Sequence, residues 1–471
     1  MLKNIKYLSL ALVFTSCAVG PNYNPPELKS FHILQENNLL HKNKQEHSWW
    51  KNFNDPILNQ LILKAQENNL DINTAYLNIK KSRLTYNIVK EDFEPNAAFV
   101  INPQRGKKSE NVPSFAPGLT GNNLNLGLSV SWEVDLFGRI DRLVEANYAK
   151  YEADKFLYQD ILLSLKAQVA STYIEIRSLE DRILITKKNI NIQERFFNLT
   201  KKLKNAGSAS KLDVIRANSN LLSTQAYLPS LHANKTALIQ KLAVLLNTRD
   251  VKVQNSLKST QSFIPVSYKK NITFSANLLR NRPDVRLKER ELAAQTALIG
   301  VATTALYPSL TLSGFLGYNS ISSSNLLSPE SLLWNVGGSF FYSIFNRSKI
   351  KASISIEETK AEMALNNYKK TVLNAIAEVN TNLDFYKSEK IKFSYLEKAY
   401  SLSQESVHLA NLRYENGLSS FQEVLDSQRQ LFLSEEALSQ SKTSSSLYYI
   451  KIHKALGLGW NTQNDKKEKV K

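Results

Sequence analysis

The chain has 471 residues, 42% of them hydrophobic and 22% charged, with a formal net charge of +18. That length exceeds one simple core and calls for several domains or a long internal repeat, and the composition is that of a folded protein. Lysines spread along the whole chain without a basic block interleaved with aromatics, so the charge reads as solvated helix faces and not as a nucleic-acid surface. Cys17 is the single cysteine, which excludes an intrachain disulfide and argues against a cysteine-ligated zinc. The histidines show no metal-ligand spacing, and no nucleophile elbow, P-loop or dinucleotide fingerprint occurs, so no enzyme, metal or cofactor is expected.

Residues 1–16 join a basic start to the apolar run Tyr7–Phe14 and the small pair Thr15-Ser16, the pattern of a secretory signal too short to span a bilayer. Cys17 directly follows that pair and resembles a lipobox cysteine, the expected acylated (palmitate-bearing) N-terminus, although Phe14 stands where leucine is usual. Residues 17–55 are rich in proline and asparagine and read as a lipid-anchored strap, pinned by Trp49-Trp50 and Phe53.

The first structural repeat is placed at 56–247. A helix starts at Pro56 behind the N-cap Asp55, carries the stripe Leu58, Leu61, Ile62, Ala65, Ile72, Ala75, Tyr76 and Ile79, and ends near Phe93. A weaker strand spans Asn96 to about Arg105. A stronger one alternates Leu124, Leu126, Leu128, Val130, Trp132 and Val134 with asparagine, glycine, serine and glutamate. From Gly138 to about Asn205 the helical period returns unbroken by proline, a helix of roughly 100 Å. A break at Gly207 follows, then a helix to about Asn247 and an irregular connection at 248–272.

The second repeat is placed at 273–457. Arg282-Pro283-Asp284 opens a helix, Tyr307-Pro308 precedes a strand, a serine-rich loop follows, and Asn335–Phe345 gives another strand with Val336, Phe340, Tyr342 and Ile344 on one face. A helix from about Ser348 to Asn416 meets a break at Gly417, then a helix to about Leu456 and a polar tail at 458–471. Asp71 with Asp284, Pro95 with Pro308, Arg139 with Arg347 and Gly207 with Gly417 all recur at an offset of about 210 residues, which marks an internal duplication.

Both breaks have one design. Glycine ends a helix in a left-handed turn, and an acid, Asp213 or Glu423, follows six positions later in the first turn of the next helix. Each repeat carries two strands with the length and alternation of outer-membrane strands, four in all. Four strands do not close a barrel, and an open edge is not viable in lipid, so copies must share one barrel. The alternative, a soluble sheet packing its apolar face onto helices, stays open on the strands alone.

The segments Cys17-Ala-Val-Gly-Pro-Asn-Tyr23, Trp132-Glu-Val-Asp-Leu-Phe-Gly-Arg139, Arg282-Pro-Asp284 and Tyr307-Pro-Ser-Leu310 resemble the lipoprotein branch of the TolC-like outer-membrane efflux family. The resemblance implies a mixed α and β fold: a trimeric outer-membrane β-barrel, four strands per chain, continued by a long α-helical coiled-coil barrel into the periplasm. It also implies a homotrimer in outer-membrane lipid and docking to a periplasmic adaptor and an inner-membrane pump. The chain would be a passive exit duct for small molecules; a type I secretion duct for polypeptides or a non-channel helical scaffold lipoprotein are the alternatives.

The resemblance places Glu423 and Asp426 at the pore constriction, Asp213 and Tyr414 in a closed-state latch, and Gly207 and Gly417 at the tips that meet the adaptor. Ser419 stands where some relatives have an arginine that strengthens the latch, so any latch here is expected to be weaker or made by another residue. Arg216 occupies in the first repeat the place of Asp426 in the second, so the two tips differ in charge.

Overall fold

A computed structural model describes residues 18–26, 48–111, 118–257 and 281–459. The chain forms two compact units, each drawn from both repeats. One includes residues 78–155 and 287–369 and contains the sheet; the other includes 156–286 and 370–471 and contains both glycine breaks. Cys17, the expected signal segment and residues 258–280 and 460–471 lie outside the described residues.

Helices α1 (Pro56–Asn68) and α2 (Leu70–Lys90) stand where one helix was expected. The start is as the sequence indicates: Asp55 accepts from the amides of Ile57 and Leu58, and Pro56 occupies the first turn. The break comes at Asn69, whose side-chain oxygen accepts from the amides of Asp71 and Ile72 at 2.9 and 3.1 Å and so caps a new helix. Its amide group donates to the Leu245 carbonyl at 3.0 Å.

Strands β1 (Asn96–Lys107) and β2 (Thr120–Val134) precede α3 (Arg139–Asn205), a single helix of 67 residues. Gly138 starts α3 with φ +77°, and a Cβ there would lie 2.6 Å from Ala18. Arg139 holds Glu133 through two charge-assisted bonds of 2.6 and 2.7 Å, fixing the strand end to the helix start.

The segment after Gly207 is again two helices, α4 (Lys211–Gln225) and α5 (Tyr227–Leu245). Pro229 explains the break, since it lacks an amide hydrogen and its ring crowds the carbonyl of the preceding turn. The expected irregular connection begins with a helix, α6 (Asp250–Leu257).

In the second repeat α7 (Pro283–Thr304), β3 (Ser309–Ser320), β4 (Leu332–Phe341), α8 (Arg347–Glu415) and α9 (Phe421–Ala455) follow. Strand β4 lies earlier than the sequence pattern placed it, and Tyr342 and Ile344 fall beyond its end. Its last rung is Ser309 with Phe341, because β3 begins only after Pro308 and offers no partner further on. The four strands form one antiparallel sheet in the order β1-β2-β3-β4.

The main core, in the second unit, joins Trp49, Leu58, Ile62, Tyr173, Ile176, Leu242, Val253 and Ile450. Trp49 is fully buried and its indole donates to the Leu458 carbonyl at 3.1 Å, so the end of the strap and the residues after α9 seal the same core. Lys166 is buried beside them, donating to the Gly459 carbonyl at 2.7 Å with its ammonium over the Trp50 ring.

Burial alone lowers the Lys166 pKa to about 8. The unfolded chain therefore holds the extra proton between about pH 8 and the ordinary lysine value, and stability rises with pH across that window. Thermal unfolding from pH 7 to 10 should show this rise in the native protein, and Lys166→Met should flatten it.

Candidate functional site

Two helix breaks and one sheet carry the features that the sequence singled out. At the first break Gly207 takes φ +77°, its amide donates to the Lys204 carbonyl at 3.0 Å, and Ser208 donates to the Leu203 carbonyl at 2.9 Å. At the second, Gly417 takes φ +71° and donates to the Tyr414 carbonyl at 3.0 Å, while Leu418 donates to that of Arg413 at 2.8 Å. These are matched glycine C-caps. A Cβ on either glycine would meet nothing within 4 Å, so the positive φ requires glycine and crowding does not.

Serine then caps each outgoing helix. Ser210 and Asp213 form a reciprocal capping box: the Asp213 amide donates to the Ser210 hydroxyl oxygen at 3.1 Å, and the Ser210 amide donates to the Asp213 carboxylate at 3.0 Å. Ser420 caps α9, accepting from the Glu423 amide. Asp213 and Glu423 thus hold the same helical position with different duties. Asp213 is engaged in its own cap. Glu423 and Asp426 project from the exposed face of α9, opposite the buried Phe421 and Val424, and neither carboxylate has an ion pair or hydrogen bond among the described residues.

Tyr414 packs on Phe421 with ring centroids 5.7 Å apart. Burial and the nearby Asp213 charge both raise its pKa, so the expected latch pair is brought close, but no hydrogen bond joins the two within the chain. The bond between the breaks comes from elsewhere. Arg216 on α4 donates to the Gln422 side-chain oxygen on α9 at 2.6 Å. The sequence had marked Arg216 only as a charge difference, and no signal in it named Gln422. Ser419 has a buried hydroxyl without a partner.

The sheet has two contrasting faces. Paired residues on adjacent antiparallel strands share a face, so the register groups Phe99, Ile101, Leu126, Leu128, Leu316, Trp334, Val336 and Phe340 on one side. That side is open: Phe99 and Trp334 are each 69% exposed and Val336 is 82% exposed. The opposite face carries Asn102, Asn123, Asn125, Ser129, Ser131, Thr311, Ser313, Asn319, Asn335 and Ser339, with Glu133 its only charged residue. The Asn319 amide bonds both Asn123 and Asn125, and the Phe315 ring lies over the facing glycines 127 and 317.

Beside the sheet end, the residues after Cys17 are pinned to the start of α3. Arg142 donates to the Val19 carbonyl at 3.2 Å and the Asn22 side chain at 2.7 Å, while Gly20 lies against Gly300. Ala18 rests on Gly138, four residues beyond the end of β2, at the helical end of the sheet. The aromatic pair Phe137 and Tyr307 stacks at the same end.

A Cβ at Gly127 would stand 2.6 Å from the Leu316 carbonyl oxygen and 2.7 Å from the Gly317 Cα, whereas Gly121 has open space. Gly127→Val should abolish assembly into the membrane, and Gly121→Ala should assemble normally, as read by membrane fractionation and gel mobility with and without heating.

The family model for outer membrane efflux proteins matches residues 61–248 and 275–458. Nodulation protein T of Rhizobium leguminosarum bv. trifolii is 28% identical over 460 residues, covering 96% of each chain. The probable outer membrane lipoprotein SilC of Salmonella typhimurium is 26% identical, covering 97% of this chain and 99% of that protein. Among solved structures, the outer-membrane channel OprN superposes with a TM-score of 0.87 at 30% identity, over 94% of this chain and 100% of that one.

Proposed function

The chain belongs to the outer membrane efflux protein family, and on that premise we propose that three copies close their sheets into one barrel of twelve strands, edge strand β1 of each meeting β4 of the next. It is an outer-membrane channel component of an efflux system. The observation that carries the trimeric reading is the sheet itself: an apolar face left open, and two edge strands whose backbone groups have no partner within the sheet. In hydrocarbon an unpaired edge costs several kcal/mol per group, so only closure is viable. The polar face then lines the lumen with amides and hydroxyls.

In this reading the duct is passive: it performs no reaction, uses no cofactor or metal, and takes its energy from an inner-membrane pump reached through a periplasmic adaptor. Each of the long helices α3 and α8 leads from a strand end to a glycine break, and the tips at Gly207 and Gly417 are the ends offered to the adaptor. Acylated Cys17 adds a lipid anchor beside the apolar face, supported by the position of Ala18 and by the lipoprotein SilC among the relatives.

Glu423 and Asp426 form the constriction. Both are exposed and unpaired in one chain, and three copies around an axis set six carboxylates against one another. Their mutual repulsion and attraction for cations grow as water is excluded. Single-channel recordings of the Glu423→Ala, Asp426→Ala double variant should show cation block weakened by at least about tenfold. Unchanged block would move the constriction elsewhere.

The closed state is restrained by two contacts. Asp213 and Tyr414 supply one between neighbouring hairpins. Arg216 with Gln422 supplies the other within a chain, compensating for Ser419 at the arginine position. A guanidinium–amide bond is weaker than a guanidinium–carboxylate pair, so this latch yields readily. Arg216→Ala should raise channel conductance and antibiotic leakage, while Gln422→Glu should lower both. Conductance that is the same in all three proteins would remove Arg216 from the latch.

A further inference from the structure

The membrane-facing side of the sheet carries only two charged residues, and both sit together at one end. In the register, Arg105 is paired with Asn122 and Lys107 with Thr120, the two rungs beyond Pro103 and Leu124. Below them the same face runs through Ile101, Phe99, Leu126, Leu128 and Val130. The outward apolar positions of β2, from Leu124 to Val134, cover about 25 Å of membrane normal for a tilted strand, the height of an outer-membrane apolar band. Arg105 and Lys107 therefore begin where the hydrocarbon ends.

The end in question is defined by the chain. The β1–β2 and β3–β4 connections lie there, whereas α3, α7 and α8 all join the sheet at its opposite end. With the helices on the periplasmic side, the two cations face the outer leaflet.

We infer that Arg105 and Lys107, with Asn122 and Thr120 opposite them, form a binding site for the phosphate group of an outer-leaflet lipid. Residues two apart on a strand lie about 7 Å from each other, and directly paired residues about 5 Å. Four side chains with donors thus frame a patch of phosphate size. Arginine supplies a planar fork for two phosphate oxygens, lysine a point charge, asparagine and threonine neutral donors. All four are exposed.

Lys107 does have a partner, Glu110 at 3.0 Å, but both side chains are more than 60% exposed. An ion pair of that kind contributes little and exchanges readily for a doubly charged phosphate. The other face supplies the contrast. The lumen side has no cation at these rungs, where Gln104 pairs with Asn123 and Gly106 with Gly121. At the Arg105 and Lys107 rungs positive charge is placed on the lipid side, where it complements lipid phosphates, and Lys108 on the next rung turns to the other face.

The inference rests on the barrel reading and is tested so that the two fail separately. The purified full-length oligomer is heated in neutral detergent with a diphosphorylated outer-leaflet glycolipid, with its dephosphorylated form, or with inorganic phosphate. The phosphorylated lipid should raise the dissociation temperature of the native protein, and Arg105→Gln with Lys107→Gln should lose at least half of that shift. Glu110→Gln, which releases Lys107, should keep it. An equal shift in the double variant, an equal shift with dephosphorylated lipid, or the full shift with inorganic phosphate alone would overturn the lipid-phosphate site. Planar-bilayer conductance serves as the separate readout: the double variant should conduct as the native protein does, and absence of conductance in the native protein would overturn the barrel.

Discussion

The structure depends on a sheet that its own chain does not complete. Four strands present a continuous apolar face, with Phe99, Trp334 and Val336 open to the surroundings, and end in two edges without partners. In water such a face is a liability for aggregation, and in lipid the face is welcome but the edges are not. Only an assembly in which copies close the sheet satisfies both conditions. The bidentate Arg139–Glu133 bond and the glycine contact of Ala18 with Gly138 fix the end of this sheet to the first turn of α3. Strand tilt is thereby coupled to helix direction.

Much of this was legible in the sequence because the governing signals are local. Asp55 before Pro56, Gly138 before Arg139 and the glycine breaks at 207 and 417 each state a backbone conformation that few other residues adopt. The helix boundaries at those points follow within a residue or so. The alternation from Leu124 to Val134 likewise named both faces of β2. Two of the misses have a common physical origin, since each depends on a partner elsewhere in the chain. Asn69 interrupts a good helical stripe because its side chain both caps α2 and reaches the Leu245 carbonyl. Strand β4 stops at Phe341 because β3 starts at Ser309, although residues 342 to 345 continue the alternation. The break at Ala226 was readable from Pro229, a local signal outweighed by the length of the surrounding apolar pattern.

The candidate site divides in the same way. The glycine caps and the helical positions of Asp213 and Glu423 follow from spacing, and the geometry repeats in both halves. The contact between the halves does not follow from spacing. Arg216 reaches Gln422 only because α4 and α9 pack side by side, which brings together two residues about 200 positions apart. Duplication explains the shared scaffold of the two breaks, and the substitutions after duplication explain their difference. One half keeps its acid in a capping box and adds an arginine, while the other leaves two acids exposed. A symmetric pair of tips would place like charges against like in a closed ring. The asymmetric pair places a cation beside an amide within the chain and leaves the two carboxylates exposed and unpaired among the described residues.

The distribution of charge carries this argument through the whole channel. Along the polar face of the sheet every residue is neutral except Glu133, which is neutralised by Arg139. A face rich in amides and hydroxyls, with Val100, Phe315, Leu333 and Phe341 among them, offers weak, exchangeable contacts and no strong electrostatic well. On the proposed reading, discrimination by charge falls to Glu423 and Asp426 at the second break, both exposed and without an ion pair among the described residues. The neutral sheet face and the acids exposed at the second break are therefore complementary in their charge: one presents weak, exchangeable contacts, and the other concentrates unpaired negative charge.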